Sequence, residues 1–184
     1  MNHFSDKSTT ALNLSVESAR QLGHAYVGTE HLLLGLLKTA DSVAAAVLEE
    51  NNVTAEYVLN KIVESVGSGT PTNVSGNDLT PRMKRIIEQS AREAAQMGRK
   101  VVGTEHLLIA LLRERDCEAL RIIASVADPK EIYNSILKAM NIQPSNGEKY
   151  RVRKRGASGN YIYFHTIKRF ISGFKRVEEE KIFK

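Results

Sequence analysis

Twice in this chain a hydroxyl, a carboxylate and an imidazole stand in a row, as Gly28-Thr29-Glu30-His31 and as Gly103-Thr104-Glu105-His106, each followed by Leu-Leu. A His beside a Glu can hold a metal ion or move a proton. Neither copy belongs to a His-Glu-x-x-His pattern, however, and both histidines open strongly apolar runs, where an inward imidazole bonded to backbone is the ordinary outcome. Catalysis and metal binding are therefore not expected of His31 and His106, and no cofactor is implied. The carboxylates of Glu30 and Glu105 then have two readings. They can receive a ligand with N–H donors, or they can be acidic residues in the first turn of a helix, where the backbone dipole favours negative charge and a Thr cap contributes about 1 kcal/mol with no ligand at all.

The elements that position them follow from one internal repeat. The motifs lie at a fixed offset, residue 28 against residue 103, and the same offset pairs Ser15 with Ser90, Ala19 with Ala94, Gly23 with Gly98, Leu36 with Leu111 and Asp41 with Asp116 without a gap. Such self-similarity sets the fold before any local propensity does, and two copies point to two bundled halves related by pseudo-symmetry. In each half the apolar residues recur at steps of three and four, as at Leu12, Val16 and Ala19 and at Ile86, Ile87, Ser90 and Ala94. Gly23 and Gly98 stand where those first helices end. Thr29 and Thr104 are expected to cap second helices that are apolar nearly all round and so central. Third helices are expected at Asp41–Glu50 and Asp116–Ala124, and fourth helices at Thr54–Val66 and Pro129–Met140. Thr80-Pro81 opens the second half as a cap with proline at the first helical position. The fold class is all-α: two four-helix repeats, eight helices, with an appended tail.

Composition divides the chain further. Gly67–Asp78, rich in Gly, Ser, Pro, Thr and Asn, reads as a linker between repeat one (about 3–66) and repeat two (about 79–141). Residues 148–184 hold eleven Lys and Arg against four Glu, whereas residues 1–147 hold fifteen Lys and Arg against seventeen Asp and Glu. The basic character thus belongs to the tail, which also carries seven of the eleven aromatic residues. The expected domains are 1–143 and a basic, aromatic extension, 144–184. Basic residues interleaved with aromatics, from Arg151-Val152-Arg153-Lys154-Arg155 through Tyr161–Phe164, fit nucleic acid or an anionic membrane surface; a segment folded back on the acidic repeats or left solvated fits as well. Cys117 is the only cysteine, which rules out an intramolecular disulfide and a cysteine-based metal cluster. With no apolar run of membrane-spanning length and a polar start at residues 1–10, a cytoplasmic location is expected.

The paired Val-Gly-Thr-Glu-His-Leu-Leu segments, with Phe4-Ser5 and Leu79-Thr80-Pro81-Arg82 opening the halves, resemble the Clp repeat N-terminal domain of the Hsp100 chaperones, the ClpC-like members above all. The resemblance covers about residues 3–141. It implies a non-catalytic module that docks adaptor proteins and substrates for an ATP-driven unfoldase and its partner peptidase, and so Clp ATPase or peptidase components among the partners. No Gly-x4-Gly-Lys-Ser/Thr phosphate loop occurs in these residues, since Gly67-Ser68-Gly69-Thr70 lacks the lysine, and a stand-alone Clp-repeat protein is the favoured reading. The resemblance further implies recognition of phosphoarginine. That ligand sets N–H donors beside an anionic phosphate, so a receptor needs a carboxylate and an anion hole side by side. Repeat one would supply Ser5, Lys7, Thr29 and Glu30, and repeat two Thr80, Arg82, Thr104 and Glu105, each repeat holding one complete site. Phe4 and Leu79 would staple their helices or line a groove for a partner. The rival function class is a nucleic-acid-associated or membrane-surface protein working through the tail.

Overall fold

The computed structural model describes residues 3–142, and within them each half of the chain folds into four helices. Repeat one comprises α1 (Asp6–Gln21), α2 (Thr29–Leu37), α3 (Val43–Glu50) and α4 (Ala55–Ser65). Repeat two comprises α5 (Pro81–Gln96), α6 (Thr104–Leu112), α7 (Glu118–Ala124) and α8 (Pro129–Ala139). The caps are local and chemical. Ser5 accepts from the Ser8 N–H at 3.1 Å and Thr80 from the Met83 N–H at 3.2 Å, each satisfying one of the orphan donors that any helix start leaves. Gly23 and Gly98 end α1 and α5 at φ +77° and +68°, the left-handed conformation that glycine adopts without strain.

The all-apolar runs occupy the centre, as their lack of a polar face requires. Every residue of α2 is buried, as is all of α6 except Glu105 at its first turn. Around them Leu12 and Val16 of α1, Ile86 and Ile87 of α5, Val47 and Leu48 of α3, and Ile132, Ile136 and Leu137 of α8 close one continuous core. Gly35 allows α1 to approach α2 closely, since a Cβ there would stand 2.3 Å from the Ala11 carbonyl oxygen.

Three features depart from the sequence expectation. The third helices begin two residues late, at Val43 and Glu118, because Asp41 and Asp116 take left-handed φ values of +52° and +50° and leave Ser42 and Cys117 as caps. Asp tolerates that region better than most residues. The segment expected as a linker is packed rather than free: the Gly69 N–H donates to Leu22 O at 2.8 Å, the Thr72 N–H to Arg20 O at 3.1 Å, and Val74 is buried. It covers Gly23 so closely that a Cβ there would lie 2.5 Å from the Gly69 carbonyl carbon. Finally, two short parallel pairings join the halves. Strand β1 (His3–Phe4) pairs with β2 (Val101–Val102), and Val27 bridges Leu79 in the same sense. Each repeat's opening residues therefore lie against the loop that precedes the central helix of the other repeat.

The repeats differ most at one buried charge. Glu93 is 1% exposed and receives Arg113 Nη1 on both oxygens at 2.9 and 3.0 Å, while Arg113 Nη2 donates to the Tyr133 hydroxyl at 2.8 Å. Ser18, Lys38 and Val58 occupy the corresponding places in repeat one. Removing one partner strands the other charge away from water, whereas replacing both with apolar groups does not. Glu93→Ala is expected to cost about 3 kcal/mol in urea denaturation, and Glu93→Leu combined with Arg113→Met less than Glu93→Ala alone.

Candidate functional site

Each letter of the repeated tetrapeptide has a separate physical task. Gly28 is the N-cap of α2, with extended backbone at φ −99°, and its N–H donates to His31 Nδ1 at 2.9 Å. Gly103 donates likewise to His106 Nδ1 at 2.9 Å. The histidine thus fills the third helical position in the role that Glu or Gln plays in a capping box. The glycine also makes room for the carboxylate that follows it. A Cβ on Gly28 would stand 2.3 Å from a Glu30 carboxylate oxygen, and one on Gly103 2.1 Å from a Glu105 oxygen. Both glutamates fold back over their own helix start.

The threonines act across the molecule. They are the first residues of α2 and α6 rather than caps of those helices, a shift of one position from the sequence expectation. Thr29 Oγ1 accepts from the Ala119 N–H of α7 at 3.3 Å, and Thr104 Oγ1 from the Ala44 N–H of α3 at 3.4 Å. Each threonine satisfies a helix start in the opposite repeat. Cys117, the cap of α7, offers its own helix no side-chain hydrogen bond, and Thr29 supplies the missing acceptor.

Around Glu30 the polar groups form an ordered chain. Because His31 Nδ1 is an acceptor, its proton sits on Nε2 and points to His24 Nδ1 at 2.7 Å; His24 Nε2–H then donates to the Gly67 carbonyl at 3.0 Å. Burial, with His24 close by, pushes the His31 imidazole down to about 3, so it is neutral. Although Glu30 Oε1 lies 3.2 Å from His31 Nδ1, that nitrogen has no proton to share and the contact is not an ion pair. Glu30 is 5% exposed, and its carboxyl is pushed up by burial, against the lowering effect of its own backbone N–H and the Thr29 hydroxyl at 3.4 Å. A buried carboxylate without a cation is costly unless something brings one.

Glu30 opens into a cleft of about 360 Å³. Repeat one contributes Tyr26, Gly28, Thr29 and Val66 to its wall; repeat two contributes Thr80, Arg82, Asp116, Glu118 and Arg121. The phenol of Tyr26 is pushed up by burial and by the negative charges of Glu30 and Glu118. Arg121 pairs with Glu118 at 3.1 Å on an exposed face, and Arg82 makes no hydrogen bond or ion pair to the described residues.

The expected site residues therefore associate crosswise, and the grouping by repeat is corrected. Thr29 and Glu30 meet Thr80 and Arg82. Ser5 and Lys7 go the other way: the Ser5 N–H donates to Val102 O at 3.0 Å, in the strand that runs into Thr104 and Glu105, while Lys7 Nζ is held by the Asp41 carbonyl oxygen. Parallel pairing across the pseudo-dyad enforces this exchange. Leu79 is buried and Phe4 is partly buried against the same core, so the seam takes up Leu79 and leaves it no surface for a partner groove. His31 and His106 face inward and bond to backbone, as read from the sequence. Tyr26, Asp116, Glu118 and Arg121 were not foreseen; the pseudo-dyad, once known, points to them. Among the described residues no group of three or more His, Cys, Asp or Glu is placed to hold a metal ion, and no helix is long and apolar enough to cross a membrane. The basic, aromatic segment and the nucleic-acid or membrane reading attached to it lie outside the described residues.

Comparison with known proteins matches residues 3–126 to the family described as the Clp repeat (R) N-terminal domain. The chloroplastic chaperone protein ClpC2 of Arabidopsis thaliana is 33% identical over 178 residues, covering 96% of this chain and 18% of that protein. The chloroplastic ClpC1 of Oryza sativa subsp. japonica is 37% identical over 136 residues, covering 73% and 15%. The chain thus spans less than a fifth of the length of these relatives. The crystal structure of the N-terminal domain of ClpD from Arabidopsis thaliana superposes with a TM-score of 0.60 at 18% identity, over 76% of this chain and 95% of that one. The Hsp104 N-terminal domain from Candida albicans gives 0.61 at 13%, over 83% and 98%. At such identities the likeness shows the fold alone.

The two buried groups at this site respond to pH in opposite senses. His31, depressed from 6.5 to about 3, contributes stability that is complete above pH 6.5 and lost as pH falls toward 3, on the order of 4 kcal/mol in all. Glu30, raised, is a liability at neutral pH that protonation relieves. Glu30→Gln is therefore expected to raise the melting temperature at pH 7, with the gain shrinking on acidification, whereas His31→Gln flattens the acid limb of the stability profile; thermal melts from pH 7 to pH 3.5 check both.

Proposed function

The chain belongs to the family of Clp repeat N-terminal domains, and from that premise we propose that it is a non-catalytic docking module of the ATP-dependent Clp chaperone-protease system that recognises phosphoarginine on proteins marked for degradation. The observation that carries this reading is the Glu30 carboxylate, buried with no ion pair to a Lys or Arg among the described residues on the wall of an open cleft. A phosphoguanidinium side chain supplies what that group lacks: N–H donors in a planar fork that match a carboxylate. Its phosphate would then face Thr80, whose hydroxyl proton is free because the oxygen already accepts from the Met83 N–H, together with the first turn of the sixteen-residue helix α5 and the Arg82 guanidinium. The Tyr26 ring, 41% exposed, offers a face for the guanidinium plane.

Glu30 comes from one repeat and Thr80 and Arg82 from the other, so this recognition surface is shared between the repeats and neither repeat alone would form it. Partners in this reading are protein substrates or adaptors of a Clp ATPase, and the residues from 144 onward form a separate extension. Support comes from the family, from the crosswise geometry and from the unusual burial of Glu30; the tail enters none of these.

Calorimetric titration of the full chain with phosphoarginine is the test, with arginine and inorganic phosphate as controls. Saturable binding is expected for phosphoarginine, at least about tenfold weaker binding for either half-ligand, and none in the Glu30→Gln, Glu105→Gln double variant, which removes both carboxylates without a change of size. Equal binding by wild type and double variant, or none by wild type, overturns the reading and leaves the Thr-Glu pairs as helix-start chemistry alone.

A further inference from the structure

The repeat offset maps the wall of the Glu30 cleft onto a second set of residues around Glu105, and the two sets are not chemically alike. Moving by the repeat offset from the Glu30 cleft to its partner, Thr80 becomes Ser5, Arg82 becomes Lys7, Asp116 becomes Asp41 and Glu30 becomes Glu105, so the skeleton persists. Val66 becomes Asn141, and at three further wall positions an aromatic or charged side chain becomes aliphatic: Tyr26 becomes Val101, Glu118 becomes Val43 and Arg121 becomes Ala46. All three replacements are exposed, with Val101 48% and Val43 37% accessible, so they do not serve the core.

Charge compensation then differs. Around Glu30, repeat two supplies two guanidinium groups: among the described residues Arg82 has no hydrogen-bond or ion-pair partner and Arg121 has the exposed i,i+3 pair with Glu118, a contact that costs little to rearrange. Around Glu105 the single equivalent cation, Lys7, is already engaged by the Asp41 carbonyl oxygen, and Ala46 has no charge to add. The carboxylates differ as well: the Glu30 side chain is 6% exposed and that of Glu105 is 19% exposed, so the second is closer to water and loses less when left without a cation.

We infer that the two clefts have diverged, and that only the cleft built from Glu30 of repeat one and Arg82 and Arg121 of repeat two takes the phosphoguanidinium side chain, with Arg121 as the residue that decides between them. This rests on the ligand class proposed above and adds its stoichiometry. The phosphate carries up to two negative charges, and a site that seats it needs cationic donors free to turn inward. Arg121 at the rim meets that need where Ala46 cannot. The Glu105 cleft, rimmed by Val43 and Val101, keeps the fold-bearing half of the motif, the Thr104 contact to Ala44, after losing the ligand-bearing half.

The test is calorimetric titration of the full chain with phosphoarginine, read for stoichiometry. One site per chain is expected, unchanged in Glu105→Gln, lost in Glu30→Gln and weakened about tenfold or more in Arg121→Ala, whose exposed side chain leaves folding unaffected. Installing Val43→Glu with Ala46→Arg, which copies the charged wall, is expected to raise the stoichiometry to two. Two equivalent sites in the wild type, a site lost in Glu105→Gln, or full affinity in Arg121→Ala overturns the divergence while leaving phosphoarginine as the ligand. An absence of saturable binding in every variant overturns the ligand class itself.

Discussion

The rest of the molecule depends on an exchange of polar contacts across its pseudo-dyad. The Thr29 hydroxyl satisfies the start of α7, the Thr104 hydroxyl satisfies the start of α3, and each repeat's opening residues run parallel to the other repeat's loop. These are small contacts, each worth one ordinary hydrogen bond, about 1 kcal/mol. Their importance is positional. A buried helix start must find acceptors, and here one N–H at the start of α3 and one at the start of α7 find theirs in the other half, so neither repeat alone completes those two helix starts. The apolar helices α2 and α6 supply most of the burial, but burial has no direction, and it is the threonines and paired backbones that fix how one half sits on the other.

That arrangement explains why a short motif with four different residues survives twice. The glycine leaves the space that the carboxylate two residues on occupies; the histidine accepts the glycine N–H; the threonine reaches across the dyad. Three of the four are accounted for by folding. The glutamate is the exception. It takes up the glycine's room yet pairs with no Lys or Arg among the described residues, and in repeat one its burial works against its charge. Of the four residues it is the one whose place the fold's own contacts do not explain.

Much of the fold was legible in the sequence because a repeat declares itself by register. The fixed offset, the glycines at Gly23 and Gly98 and the all-apolar runs after His31 and His106 place the helices within a residue or two. What the sequence hid were long-range facts. A repeat shows which residues are equivalent, not which of them meet, and the natural assumption that equivalents from one copy form one site is the wrong one here. Thr29 lies near Thr80 and not near Ser5 because two-residue strands pair across the dyad, and strands so short leave no alternating pattern to read. Asp41 and Asp116 misled in a similar way. They are good helix caps by type, but a left-handed backbone lets them close a turn instead, and the cap passes to the next residue.

Fusing two copies into one chain has a consequence that a symmetric pair of identical subunits could not show. In an isologous dimer the two faces of the dyad carry the same residues by necessity, so any change in one cleft is a change in both. Here each position is free of its equivalent. The seam has held: Thr29 and Thr104, Gly28 and Gly103, and His31 and His106 are the same pair by pair, because each makes a contact the fold cannot lose. Away from the seam the copies part. Glu93 and Arg113 form a buried pair where repeat one has Ser18 and Lys38, His24 links His31 to the Gly67 carbonyl where repeat two has Arg99, and Glu118 and Arg121 face the cleft where repeat one has Val43 and Ala46. The first lies inside, where Arg113 and Tyr133 answer the Glu93 charge; the second leaves His106 Nε2 without a hydrogen-bond partner among the described residues, Arg99 being exposed. The third lies on an open wall where packing demands nothing, so an exposed difference in charge at the mouth of a conserved skeleton bears on what enters the cleft rather than on how the cleft is held.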